Sequence, residues 1–176
     1  RHDKNKVKRE NKLDYILINC VDILNGFNIV LTIDANLQRI TENALAWSTA
    51  FVEPDIIDKI NIRQATHLAM QTAVDNLKIK PELLLVDGND KIEFDGIESE
   101  YIIKGDTKFM SIAAASIVAK VTRDRYMVDM DKIYPDYAFA KNKGYGTKVH
   151  MEGIREKGLC TIHRRSFITD KVLGLV

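Results

Sequence analysis

Apolar residues recur along this chain with two spacings, short runs typical of strands and wider three-to-four-residue repeats typical of helices. Tyr15-Ile-Leu-Ile-Asn-Cys-Val reads as a strand ending at Asp22. Asn25-Gly26 is a turn signal suited to a tight hairpin, with Phe27 to Leu31 as a short second strand. Thr32 can cap a helix reaching about Asn43, and Ala44 to Val52 reads as another strand with Trp47 in the core. Pro54 opens a short helix through about Asn61. Ala65, Leu68, Ala69, Ala73 and Leu77 then recur at helical spacing, which predicts a helix over 63–78. Strands follow at 83–87 and 100–104, separated by a polar loop. A long helix from about Ser111 to Lys132 stops at Tyr134-Pro135, and its small residues (Ala113, Ala114, Ala115, Ser116, Ala119) suit close packing. Residues 136–146 read as a loop, Thr147 caps a last helix to about Lys157, and Gly158 closes it. The tail TIHRRSF is basic and irregular. This alternation predicts an α/β domain with a central sheet.

Composition adds boundaries rather than chemistry. The 176 residues suit one domain over 13–176, preceded by a basic tail or frayed helix over 1–12, with a helical part over about 134–176. No apolar run approaches ~20 residues, so no membrane association is expected. Cys20 and Cys160 match no metal spacing, and with no signal-peptide pattern the expected setting is cytoplasmic with reduced thiols. The net charge of +1 hides an asymmetry: residues 1–12 carry six Lys/Arg against two acids, and residues 141–176 carry eight against three. The middle holds twelve against twenty. Basic ends around an acidic centre suit a protein that grips a polyanion and holds cations, although basic termini are also ordinary solvated tails.

Few positions carry candidate chemistry. Asp87 stands where an apolar strand stops, beside Gly88 and Asn89, so it either projects into a cleft at the sheet edge or belongs to an ordinary turn. Asp124 lies on the long helix one turn after Lys120, which fits either a ligand or a surface pair. Asp106, after Gly105, reads as a carboxylate stabilising the turn into that helix, and Asp90 and Asp136 read as surface. Tyr145, between Gly144 and Gly146, either stacks on a sugar or base or anchors its loop to the core. His67, His150 and His163 form no ligand spacing and read as structural or surface. No Gly-rich phosphate loop follows any strand, which disfavours a Rossmann-type nucleotide enzyme.

LVDGN at 85–89, KGD at 104–106, SIAAASIVAKVTRDR at 111–125, YPDYAFAKNKGYGTKVH at 134–150 and IHRRSF at 162–167 together resemble bacterial ribonuclease HII. ALAWS at 44–48 and DKINIRQATHLAM at 58–70 also fit. The ordered set, spanning roughly 32–167, carries the likeness. It implies a ribonuclease H-like α/β fold, a central mixed sheet flanked by helices, and a C-terminal helical region. It implies an endonuclease that cleaves the RNA strand of RNA–DNA hybrids and nicks duplex DNA at embedded ribonucleotides, with magnesium or manganese as cofactor and a monomeric state. Two ions about 4 Å apart would activate a water and stabilise the leaving 3′-oxygen. By the same resemblance Asp87 and Asp124 are metal-binding and catalytic. Two further acids belong to a DEAGRG segment that is not intact here: Asp22 stands nearest its first carboxylate, Ile23 falls at its glutamate, and only Gly26 is left of its Gly-Arg-Gly. The resemblance also implies a strand between the first strand and ALAWS that this sequence has little room for. It implies that Tyr145 stacks on the deoxyribose after the ribonucleotide, and that Lys143, Lys148, Arg164 and Arg165 contact phosphates. A chain that lost a metal carboxylate would have reduced activity, or would bind such duplexes without cutting them.

Overall fold

The structure, a computed structural model, describes residues 15–17, 47–78 and 80–168, and of 15–17 it describes the backbone alone. Strand β1 is Tyr15–Leu17, helix α1 Pro54–Asp75, strand β2 Leu83–Asp87 and strand β3 Glu98–Ile102. A 3₁₀ turn at Gly105–Thr107 leads into the long helix α2, Met110–Ile133. A second 3₁₀ turn, Pro135–Tyr137, precedes the short helix α3, Phe139–Asn142; helix α4, Lys148–Lys157, and a last 3₁₀ turn, Arg165–Phe167, complete the order.

The described sheet has the order β1-β2-β3, and both pairings are parallel. The mixed sheet expected from the sequence is thus all parallel in its described part. The registers Leu17↔Leu85 and Asp87↔Ile102 bring the carboxyl ends of all three strands to one edge. Parallel neighbours usually need a helical crossover. Here residues 88–97 make the connection without one, and they turn Ile92 and Phe94 inward to do so. Those side chains join Ala69, Met70, Ala73 and Val74 of α1 and Leu84 and Val86 of β2 in one buried cluster. Along β2 burial alternates, as a pleated strand against a helix requires.

Proline opens α1 as the sequence predicts, and the helix breaks at Asn61, whose φ of 68° and ψ of 164° are not helical. The Asn61 side chain accepts from the Gln64 amide at 3.2 Å and starts the second stretch. The two helices read from the sequence on either side of Asn61 are therefore both present. Met70 and Val74 are buried there, whereas Leu68 faces outward.

A second cluster lies under the C-terminal part: Met127 of α2, Tyr137, Phe139 of α3 and Ile154 of α4. Thr147 caps α4 through the His150 amide, and Gly158 closes it at a φ of +78°. The expected loop over 136–146 contains the α3 turn, held by Asp131, whose carboxylate accepts from the Ala140 amide at 3.0 Å.

One predicted element is replaced. Residues 47–53 form no strand, because no described strand pairs with them. Ala50 and Val52 pack on the first cluster instead, Phe51 meets Tyr126 at a tilt with ring centroids 5.5 Å apart, and Trp47 is 45% exposed rather than in the core. The first strand beyond Leu17, the hairpin at Asn25-Gly26, the strand Phe27 to Leu31 and the helix from Thr32 lie outside the described residues, as does Asp22. No described helix is long and apolar enough to cross a membrane.

Candidate active site

In open α/β sheets ligands bind at the carboxyl ends of the strands. Asp87 is the last residue of β2 and stands at that edge. Beside it β3 ends at Ile102, and the chain turns through Lys104 at a φ of 55° into Gly105. The Gly105 amide donates to Asp87 Oδ1 at 2.7 Å. The next residue is Asp106, exposed at the start of the 3₁₀ turn. Gly105 has to be small. A β-carbon there would stand 2.6 Å from Ile112 Cδ1 and 3.3 Å from Asp87 Oδ1. The KGD sequence thus sets the residue before Asp106 against the Asp87 carboxylate.

Asp124 occupies a different place. Ile112 touches the Gly105 position, and from Ile112 to Asp124 α2 rises about 18 Å at ~1.5 Å per residue. Among the described residues no hydrogen bond or ion pair joins Asp124 to Asp87. Asp124 Oδ2 accepts from Lys120 Nζ at 2.6 Å, and Arg123 Nη1 stands 3.8 Å from Oδ1, which is buried without a hydrogen bond. The contacts that α2 gives Asp124 are thus with Lys120 and Arg123. The i,i+4 pair with Lys120 is present.

Whether the carboxylates fit a divalent ion follows from their chemistry. Magnesium takes oxygen ligands, commonly one or two carboxylates together with substrate phosphate and water. Asp87 stands at the sheet edge one hydrogen bond from the turn that holds Asp106, and among the described residues no group of three His, Cys, Asp or Glu stands close enough to hold an ion alone. The parallel pairing brings the carboxyl end of β1 to this same edge.

The loop 143–146 packs on α2 beside Asp124, in contact with Arg123. Lys143 adopts a φ of 52°, its ammonium donates to the Ala140 carbonyl, and its own carbonyl accepts from Arg123 Nη2 at 2.7 Å. The same guanidinium lies over the Tyr145 ring, 5.6 Å from its centroid, in cation–π range. Arg123 is buried on α2, so the loop is tied to the long helix. Arg123 is a functional candidate that reading the TRD segment for carboxylates overlooks.

Beneath Tyr145 lies a largely apolar cavity of about 460 Å³, walled by Phe51, Tyr126, Phe139, His150, Arg164 and Phe167 among others. Arg164 corrects an expectation. It is only 5% exposed, its guanidinium covers the Phe167 ring at 4.3 Å, and its Nε and Nη2 atoms have no hydrogen-bond partner. Burial depresses its pKa. It faces the cavity and not the open surface. Arg165 is exposed, and Asp58 accepts from its amide at 2.8 Å and from the Ser166 amide at 3.2 Å. The Ser166 hydroxyl bond lowers the Asp58 pKa most. Lys148 is exposed at the start of α4, 3.8 Å from Glu152.

Of the structural and surface readings open to the histidines, the structural one holds at His150. His150 is buried, its Nδ1 2.9 Å from the Tyr145 carbonyl and its Nε2 2.9 Å from His163 Nε2. His67 stands 3.6 Å from Asp90, which Arg63 holds at 2.8 Å.

With this geometry in place, the relatives of the chain become informative. Residues 12–170 match the family model described as Ribonuclease HII. The chain is 52% identical over 133 residues to a ribonuclease HII of Caldicellulosiruptor bescii, covering 76% of this chain and 64% of that protein. It is 48% identical over 142 residues to one of Vibrio parahaemolyticus, covering 80% and 67%. The alignment thus spans just under two thirds of the Caldicellulosiruptor relative. Among solved structures it resembles the ribonuclease H2 of Pyrococcus horikoshii with a TM-score of 0.56 and 25% identity, over 70% of this chain and 66% of that one. A ribonuclease HII of Archaeoglobus fulgidus, solved in complex with PCNA, gives a TM-score of 0.54 at 25% identity over 66% and 62%. By sequence model, relatives and ribonuclease H-like fold alike, the chain belongs to the ribonuclease HII family.

Proposed function

We propose that this chain carries the catalytic and junction-reading parts of an endonuclease that hydrolyses the RNA strand of RNA–DNA hybrids and nicks duplex DNA at embedded ribonucleotides. The observation that carries this reading is the Gly105 amide bound to Asp87 at the carboxyl edge of the sheet, in the turn that continues into Asp106. Asp87 and Asp106 would hold magnesium or manganese there together with phosphate oxygens of the substrate, joined by Asp22 from the first strand. Bound there, such an ion supplies the positive charge that lowers the pKa of a water and neutralises the departing oxygen. In the hydrolysis the water oxygen bonds to phosphorus, the bond to the 3′-oxygen breaks, and that oxygen takes up a proton.

The chain's own residues would do the positioning. Tyr145 would stack on the sugar following the ribonucleotide, with Arg123 fixing its ring and loop. Lys143, Lys148 and Arg165 would meet phosphates without reading sequence. Asp124 would set the α2 surface through Lys120 and Arg123 and leave the ions to Asp87 and Asp106.

A second reading, a protein that grips the same duplexes without cutting them, rests on Ile23 following Asp22 where the family segment has glutamate. Magnesium- or manganese-dependent nicking of a duplex with one embedded ribonucleotide decides between them. Nicking abolished by Asp87→Asn supports the enzyme; binding by the folded chain without nicking supports the binder.

A further inference from the structure

Under the Tyr145 loop a line of hydrogen bonds runs from the tail to α4 in one proton arrangement. A carbonyl can only accept, so the contact from His150 Nδ1 to the Tyr145 carbonyl, 2.9 Å, puts the His150 proton on Nδ1. The neutral ring then has a bare Nε2, which accepts from His163 Nε2–H at 2.9 Å. His163 Nδ1 is therefore bare, and it accepts from the Cys160 amide at 2.9 Å with Cys160 Sγ 3.0 Å away. Each assignment forces the next. A second proton on either ring would set one N–H against another.

The surroundings disfavour that second proton. Tyr137 packs edge-on to His163 at 4.9 Å between ring centroids, and Phe139 edge-on to His150 at 5.2 Å. The charged groups around the same cavity are Arg123 of α2, Arg164 of the tail and Glu53 ahead of α1, and Tyr126 and Cys160 are the titratable neutral neighbours. Burial lowers the pKa of both imidazoles, and His163 falls to about 4. The Tyr145 carbonyl also accepts from the Thr147 amide at 2.7 Å, so the backbone below the tyrosine is held from two sides.

We propose that His150 and His163 are positioning residues for substrate recognition, their neutral chain from the Cys160 amide to the Tyr145 carbonyl fixing the backbone that aims the Tyr145 ring. The proposal rests on Tyr145 being the residue that stacks on the ribonucleotide junction. His163 touches no substrate and acts only through His150 and the loop.

The test compares affinities for a duplex with one embedded ribonucleotide and for the same duplex in all-DNA form. Fluorescence anisotropy in magnesium, on the Asp87→Asn background, keeps the strands intact. Tyr145→Ala is expected to lose the preference for the ribonucleotide. His163→Leu, which removes the donor to His150, is expected to reduce that preference about fivefold, the scale of one net hydrogen bond. His163→Gln keeps an N–H in that place and is expected to restore most of it, which a merely structural loss would not do. If Tyr145→Ala loses the preference while a folded His163→Leu keeps it, the positioning role is overturned. If Tyr145→Ala keeps the preference, the stacking reading falls first. Nitrogen-15 spectra of the imidazoles in the unsubstituted chain test the proton arrangement itself. A proton on Nδ1 of His150 and on Nε2 of His163 is expected, and the opposite tautomer on either ring would overturn the chain.

Discussion

The Gly105 amide donates to Asp87 Oδ1 at 2.7 Å, and this bond ties the end of β2 to the turn that enters α2. It fixes the turn that holds Asp106, whereas Asp124 lies about 18 Å along α2 from Ile112 at ~1.5 Å per residue. The carboxylates are therefore expected to differ in what their amides cost. Asp87→Asn and Asp106→Asn should each lower metal-dependent nicking by more than about 100-fold, beyond the range typical of residues that only support a ligand. Asp124→Asn should keep the metal dependence and change mainly the stability of α2. Nicking rates at several magnesium and manganese concentrations check this.

Gly105 stands between Asp87 and the buried Ile112 side chain. Gly105→Ala should push on both, costing about 1–3 kcal/mol of stability as overpacking does. Its effect on nicking should exceed what the lost stability explains, because Asp87 Oδ1 is displaced. Thermal unfolding together with the nicking rate separates the two effects; a fully stable and fully active alanine variant would contradict the packing described.

Gly153 gives a control for packing away from the carboxylates. A β-carbon there would lie 2.4 Å from the Asp136 carbonyl, a backbone atom that cannot turn aside. Gly153→Ala should lower stability by about 1–3 kcal/mol. For a chain of this size each kcal/mol moves Tm by roughly 2–4 °C. Differential scanning calorimetry measures it directly.

The paired imidazoles predict a dependence of stability on pH. An unfolded histidine titrates near ~6.5. Burial holds His150 below that value and brings His163 to about 4, with the neighbouring His150 as a further cause. Above the unfolded value both states are neutral and the contribution is complete. As pH falls from ~6.5 towards about 4, the unfolded chain takes up protons that the fold refuses, and stability is lost. His163→Gln should flatten the fall of Tm over this window; an unchanged slope would contradict the buried neutral pair.

Local chemistry made much of the fold legible. Pro54, the Thr147 cap and Gly158 mark helix ends through their own backbone preferences, and the apolar run 83–86 marks β2 without help from distant residues. Trp47 and Arg164 were not legible, because exposure depends on what packs around a residue. Trp47 has no partner strand among the described residues, and Arg164 folds back over Phe167. The two aspartates teach a similar lesson. Asp106 and Asp124 are both acids close to a motif, and only the Gly105 bond and the Lys120 pair show what each one's surroundings hold. The roles of His150 and His163 depend on a contact between ring nitrogens from separate elements, which no spacing in the sequence reveals.

The central claim is that Asp87 and Asp106 form the metal-binding pair. It is tested most directly by nicking of a duplex carrying a single ribonucleotide, in magnesium and in manganese, with Asp87→Asn, Asp106→Asn and Asp124→Asn compared side by side. Loss of nicking in the first two and its retention in the third is the predicted result. Full activity of Asp106→Asn alongside an inactive but folded Asp124→Asn would contradict it.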